Sequence, residues 1–119
     1  MTPRTTAHGD APPACEHFDA VRPVRARTRG CAECLRLREP WTQLRICLTC
    51  GHVGCCEDSP HAHALRHHQE TGHPVIASLE PGEAWTWCYP HGRYYIPSPV
   101  PLPRKLSALA RVLGRLMRR

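Results

Sequence analysis

The sequence predicts an α+β fold, small and held together by more than apolar packing. Three observations lead there. Segments of strand composition flank a single helical segment in the middle of the chain. Leu, Ile, Val and Phe together number only 21 of 119 residues, and Pro and Gly another 21. Ordering a residue costs roughly 1.5 kcal/mol, so this apolar content does not suffice to fold the whole chain. The chain carries instead 8 Cys and 9 His, side chains that bind metal or form covalent links.

The elements follow in order. Residues 1–13 are polar, contain three prolines and show no periodicity, so they read as a disordered arm. The folded unit is expected over 14–96. Leu44–Cys47 is a short apolar strand. Ser59 followed by Pro60 predicts a helix N-cap and first turn, and Gly72 a stop, giving a helix over 60–71. Pro74–Leu79 has strand composition, Glu80-Pro81-Gly82-Glu83 is a turn, and Ala84–Tyr89 alternates and suits another strand. Leu44, Ile46, Val53, Leu65, Val75 and Ile76 are the expected minor core, with Trp41 covering a metal knuckle. Residues 97–103 alternate proline with small or apolar residues and read as a semi-rigid spacer. Over 104–119, Leu106, Leu109, Val112, Leu113, Leu116 and Met117 recur at helical steps, which predicts a basic amphipathic helix.

Charge is unevenly placed. Of the net +6, residues 31–83 contribute −3 and residues 84–119 contribute +7. The basic tail is either a solubilising segment or a contact for anionic partners, nucleic acid or a membrane surface, and its amphipathic stripe suits a membrane or a partner groove better than DNA. No run approaches the ~20 apolar residues of a membrane span, and the first 30 residues lack the apolar stretch of a secretory signal. Arg outnumbers Lys 15 to 1 and Asn is absent, a bias read as that of a GC-rich bacterial genome. No GxSxG, P-loop or GxGxxG is present, and no catalytic role is expected.

The strongest signal is the spacing of cysteine and histidine. Cys31-x2-Cys34 and Cys47-x2-Cys50 are two pairs with 12 residues between them. Two intervening residues let one tight turn bring both sulfurs onto a tetrahedral cation at about 2.3 Å. Cys15-x-His17 precedes these pairs; Cys55, His61, His63, His67, His68, His73 and Cys88-x2-His91 follow. His63 and His67, four residues apart, share a helix face. Twelve of these side chains (Cys15, His17, Cys31, Cys34, Cys47, Cys50, Cys55, His63, His67, His73, Cys88 and His91) make three tetrahedral zinc sites with none left over. Four disulfides would explain the cysteines but not the interleaved histidines, and a redox CxxC lacks its βαβ setting. Closed four-ligand sites leave no position for water, so the zinc is expected to be structural. Reduced thiolates favour a cytoplasmic setting. Cys56 is left over as a buried filler or a reactive thiol, and His52 and His68 as supporting or surface residues.

Cys31AlaGluCys34, the run Leu44–Cys55, HisAlaLeuArgHisHis68, ThrGlyHisProVal75 and TrpCysTyr89 together resemble the UBP-type zinc finger over about residues 15–95. The stretch ProGlyGluAlaTrpThrTrpCysTyr is most similar to stand-alone bacterial members. The resemblance implies a small mixed sheet with one packed helix around up to three zincs. It implies the partition Cys31, Cys34, Cys55, His63; Cys47, Cys50, His67, His73; and Cys15, His17, Cys88, His91. Spacing alone equally allows His63 and His67 on one metal, and His61 competes with His63.

The family's eukaryotic members receive the free C-terminal Gly-Gly of ubiquitin, so the resemblance implies a module that binds a protein or peptide terminus. An arginine of those members meets the carboxylate; the matching position here is Glu57, an acid that repels it. An aromatic wall of the family is Arg45 here. Trp87, Tyr89 and Tyr94 remain at matching offsets. The implied cleft is thus aromatic with changed polarity, which counts against ubiquitin itself. Alternation of Trp85, Trp87 and Tyr89 also suits plain strand packing. A zinc- or redox-responsive regulator is a further reading of the same thiols. Oligomeric state is not legible.

Overall fold

The computed structural model describes residues 14–103, so the arm expected over 1–13 and the amphipathic helix expected over 104–119 lie outside the described residues. Among the described residues a 3-10 turn, Glu16–Ala20, precedes helix α1, Ala32–Leu37, and strands β1, Leu44–Cys47, and β2, Val53–Cys55. Helix α2, His63–Thr71, then leads to β3, Val75–Ser78, β4, Thr86–Cys88, and β5, Arg93–Tyr95. The architecture is α+β, as expected. β1 coincides with its expected span, while β3 and β4 are the inner parts of theirs.

The five strands form one sheet in the order β2-β1-β3-β4-β5. Every registered pairing is antiparallel, with Ile46 opposite both Val53 and Ala77, and Trp87 opposite both Ile76 and Tyr94. The expectation of a mixed sheet is therefore corrected. β2 and β3 run the same way with α2 crossing between them, the arrangement that makes parallel pairs. Here β1 lies between the two, so no parallel ladder forms.

A second helix, α1, departs from the single expected one. It is the helical turn of the first Cys-x2-Cys knuckle, with Cys31 at its N-cap and Cys34 inside it. Six residues are too few for a periodic signal. Helix α2 starts at His63 rather than 60, after Ala62 in the left-handed region at φ 47°, ψ 53°. Ser59 is not its cap: the Ser59 hydroxyl accepts the Thr42 N–H at 2.8 Å. The His63 N–H instead donates to Cys55 Sγ at 3.1 Å, so a cysteine sulfur takes the capping role at the positive end of the helix. Gly72 ends α2 at φ 79°, as its sequence position requires.

Ile46, Val53, Val75 and Ala77 are fully buried, and Leu44 and Ile76 nearly so. Leu65 is only half-buried, while its neighbour Ala64 is buried in its place. The cause is Gly54 on β2, where a Cβ would stand 2.6 Å from the Ala64 nitrogen. Without that Cβ, the backbone of α2 sits directly on the strand and Leu65 is left at the flank. Phe18, Leu48, Leu79 and Tyr95 complete the core, and Val100 and Leu102 of the proline-rich segment pack against it.

Candidate metal centres and an adjoining cleft

Three groups of four metal-binding side chains come together, with all donor atoms of a group within 4.8 Å of one another. Cys31 and Cys34 from the α1 knuckle meet Cys55 at the end of β2 and His63 at the start of α2. Cys47 and Cys50, the turn after β1, meet His67 on α2 and His73 just before β3. Cys15 and His17 at the 3-10 turn meet Cys88 at the end of β4 and His91 in the β4–β5 turn. His63 and His67 thus belong to different groups. His61 stands outside all three, its Nε2 3.4 Å from Glu39 Oε1.

The distances fit a tetrahedral zinc. Bonds of about 2.3 Å to sulfur and 2.0–2.1 Å to nitrogen give edges of roughly 3.8 Å between sulfurs, 3.6 Å between sulfur and nitrogen and 3.4 Å between nitrogens. Cys34 and Cys55 Sγ are 3.9 Å apart and Cys15 and Cys88 Sγ 3.7 Å. His63 Nδ1 stands 3.3, 3.3 and 3.4 Å from the sulfurs of Cys31, Cys34 and Cys55. His67 Nε2 and His73 Nδ1 are 3.3 Å apart, and His17 and His91 Nδ1 3.1 Å. A disulfide needs about 2.05 Å; all eight cysteines are free.

Ligation takes thiolate and neutral imidazole, and in the metal-free protein the groups lie on both sides of that state. A hydrogen bond from Cys31 draws the Cys55 thiol down to about 5, with burial opposing it. Burial pushes Cys34 up to about 11. Burial, reinforced by His52 and His73, lowers His67 to about 4. At Cys15 burial is outweighed by hydrogen bonds from Tyr95 and His17, and the thiol falls to about 6.

The groups differ in exposure. The first is wholly buried, the second holds one buried and three half-buried ligands, and the third includes the exposed His91. Gly51 shapes the knuckle of the second group. It follows Cys50 at φ 86°, a conformation glycine alone adopts without strain, and its N–H donates to the Cys47 carbonyl at 2.8 Å. The indole of Trp41 lies against Gly30 beside Cys31, covering the first knuckle as expected.

A link between the first two groups has no signal in the sequence. Glu33, inside the first knuckle, contacts His52 Nε2 at 2.9 Å through both carboxylate oxygens. The His52 ring stacks on His67 with centroids 4.1 Å apart. Burial acts to raise the Glu33 carboxyl, but the hydrogen bond and charge of His52 outweigh it and the group ends below its usual range. His68 makes a second contact of this kind: its Nδ1 donates to the His73 carbonyl at 2.8 Å, and its ring stacks on Tyr89 at 4.4 Å. A His-rich helix gives no sign of which partner each ring finds, so neither contact is legible from residue order.

Arg45, Glu57, Trp87, Tyr89 and Tyr94 line one cleft. The register builds it: Ile76, Trp87 and Tyr94 lie side by side across β3, β4 and β5. Trp85 also lines the cleft, with its ring 5.0 Å from Tyr94, while Trp87 lies 4.6 Å from Tyr94. The Arg45 guanidinium stands 4.7 Å over Trp85. It donates to the Leu44 carbonyl and to Gln43 Oε1, each at 3.1 Å, and lies 4.0 Å from Glu83. The Trp87 indole N–H is buried without a hydrogen-bond partner among the described residues. Burial, with Glu57 adding to it, pushes the Tyr89 phenol up. Cys56 lines the cleft too, buried and outside every metal group, its Sγ 3.6 Å from Ser59 Oγ.

Comparison with known proteins agrees with this geometry. Residues 31–100 match the family described as the Zn-finger in ubiquitin-hydrolases and other protein. A histone deacetylase 6 of Caenorhabditis elegans is 33% identical over 117 residues, covering 93% of this chain and 11% of that protein. Ubiquitin carboxyl-terminal hydrolase 44 of Ailuropoda melanoleuca is 39% identical over 59 residues, 50% of this chain and 7% of the hydrolase. The chain thus spans about a tenth or less of these curated relatives. A solution NMR structure of a Rhodopseudomonas palustris protein superposes with a TM-score of 0.69 at 45% identity, covering 81% of this chain and 96% of that one. With three Cys/His groups suited to zinc and this match along the sequence, the chain belongs to the UBP-type zinc-finger family.

Proposed function

We propose that this chain is a non-catalytic, zinc-stabilised module that holds a peptide or protein terminus in the aromatic cleft. The observation that carries this reading is the convergence of Arg45, Glu57, Trp87, Tyr89 and Tyr94 on one cleft. Arg45 makes two hydrogen bonds, which leaves donors of its five for a carboxylate. By the family resemblance, Glu57 takes the position of the arginine that meets the carboxylate in ubiquitin-reading relatives, so ubiquitin's own terminus is a poor match.

The proposed zinc ligands are the three groups of four. Zinc supplies crosslinking: apparent binding energies of about 10–16 kcal/mol per site at neutral pH match or exceed the net stability of about 5–15 kcal/mol typical of a domain. Four protein donors at each site leave no open position for substrate or water, which supports a structural role. The proposed domain spans 14–96, and 97–103, expected as a spacer, lies against it through Val100 and Leu102. Reduced thiols at all three groups support a cytoplasmic setting; among the described residues no helix is long and apolar enough to cross a membrane.

Titration of free-carboxylate peptides into zinc-loaded protein, followed by tryptophan fluorescence, tests the reading, because Trp85 and Trp87 both line the cleft. Saturable quenching or enhancement is expected. Silence across a diverse panel refutes it.

A further inference from the structure

The cleft is unequal in its charges. Arg45 is partly compensated, with donors still to spare: Glu83 lies 4.0 Å away, two acceptors take N–H groups, and Trp85 lies under its guanidinium. Glu57 is not. Its side chain lines the same cleft and is exposed, and among the described residues no hydrogen bond or ion pair engages its carboxylate. The charge left wholly open to a ligand is therefore negative. The remaining walls reinforce that sign. Trp87 and Tyr94 lie 4.6 Å apart in the same cleft, while Trp85 carries Arg45 and Tyr89 carries His68, and the faces of such rings attract cations, Trp most strongly. An acid beside clustered rings is a setting for an ammonium or guanidinium, stronger when the ligand excludes water.

We infer that the cleft selects a peptide whose terminal residues carry a Lys or Arg side chain, with the cation set against Glu57 among the aromatic rings. This rests on the terminus-binding reading above and adds the class of terminus. A residue that bears both a carboxylate and a cation answers both walls, the first at Arg45 and the second at Glu57. Specificity comes from rejection as well as attraction: an acidic side chain there meets Glu57 with no counter-charge, and like charges brought together cost affinity.

Matched hexapeptides with free C-terminal carboxylates test this, identical except for Lys, Gln or Glu substituted in turn at each of the last three positions. They are titrated into full-length, zinc-loaded protein by calorimetry and tryptophan fluorescence. At the best position the Lys peptide binds at least tenfold more tightly than the Glu peptide, with Gln between them, and the gap narrows as salt is raised. Glu57→Gln abolishes the Lys preference and Glu57→Lys reverses it. Both variants keep the zinc count of the wild type by native mass spectrometry, since Glu57 is exposed and outside the metal groups. Equal binding of the three peptides, or a Lys preference that survives Glu57→Gln, overturns the inference and leaves the terminus reading standing. The amidated Lys peptide separates the two: retained binding and retained Lys preference without the carboxylate overturn the terminus reading alone. No binding by any peptide overturns both.

Discussion

Replacing Gly54 by alanine probes the tie between the sheet and the metal sites. A Cβ at this position stands 2.6 Å from the Ala64 nitrogen, 2.8 Å from the Ala64 Cα and 3.0 Å from the His63 carbonyl carbon. These are backbone atoms of α2, and no rotamer change relieves them. Restoring ordinary contact requires the helix to retreat by roughly 0.8 Å. Helix α2 carries His63 of the first group and His67 of the second. Metal–ligand distances tolerate only about 0.2 Å, so one methyl group strains two sites at once. Overpacking costs about 1–3 kcal/mol, and displaced ligation is expected to weaken zinc binding about 10–100-fold, the range seen when ligand orientation is lost. Competition with a chromogenic chelator measures the affinity, and thermal melting by circular dichroism measures the stability, where each kcal/mol is worth about 4–8 °C in a domain of this size. A Gly54→Ala protein with unchanged zinc affinity and a melting temperature within a degree of wild type would refute the claim that backbone contact here sets the metal geometry.

Other expectations follow from individual residues. Ala62 sits in the left-handed region, which costs a non-glycine residue roughly 1 kcal/mol, and glycine's greater unfolded-state freedom takes back about 0.4–1 kcal/mol, so Ala62→Gly raises the melting temperature by at most about 4 °C; a fall of more than about 4 °C shows that the conformation carries no strain. His63→Ala removes a ligand from the wholly buried group, whereas His91→Ala touches the exposed edge of the third. The first variant is expected to lose cooperative unfolding and the second to lose one zinc while keeping it, as native mass spectrometry and melting report. Excess strong chelator abolishes the folded circular dichroism signal, since zinc binding is as large as a small domain's net stability; an unchanged, cooperatively melting signal contradicts this. Glu33 has its pKa lowered in the folded state mainly by His52, so its stabilisation is present above about 4.5, the ordinary carboxylate value, and disappears as pH falls through the lowered value. Glu33→Gln therefore costs about 1 kcal/mol at pH 7, and the gap from wild type closes in acid; a gap that stays constant down to pH 3 excludes the ion pair as its cause.

Much of the candidate site is legible in the order of residues. Side chains that bind zinc are few, and Cys-x2-Cys spacing admits little besides a metal knuckle, so the twelve residues that the fold gathers into groups stand out from the rest. The aromatic residues of the cleft stand out through resemblance, not through periodicity. Harder to read are elements with no local signal: α1 and β5 are six and three residues long, and β2 is three. The start of α2 is misleading in the sequence because Ser59-Pro60 is a sound local cap, yet Cys55 offers a sulfur to the His63 N–H and displaces it.

The amino-acid sequence by itself determined which side chains are suited to hold metal and that apolar packing alone is too little for the chain, because both follow from residue type, short-range spacing and a shortage of apolar surface. Spacing left open which histidine joins which cysteines, a partition only the family resemblance implied, and only the tertiary structure decided why the sheet has no parallel pair and which charge in the cleft stands open. Those depend on register and on contacts between segments distant in the chain: β1 inserted between β2 and β3, and Glu83 placed beside Arg45 rather than any cation beside Glu57 among the described residues. Such placements are settled by three-dimensional packing, where one absent Cβ at Gly54 counts for as much as a motif.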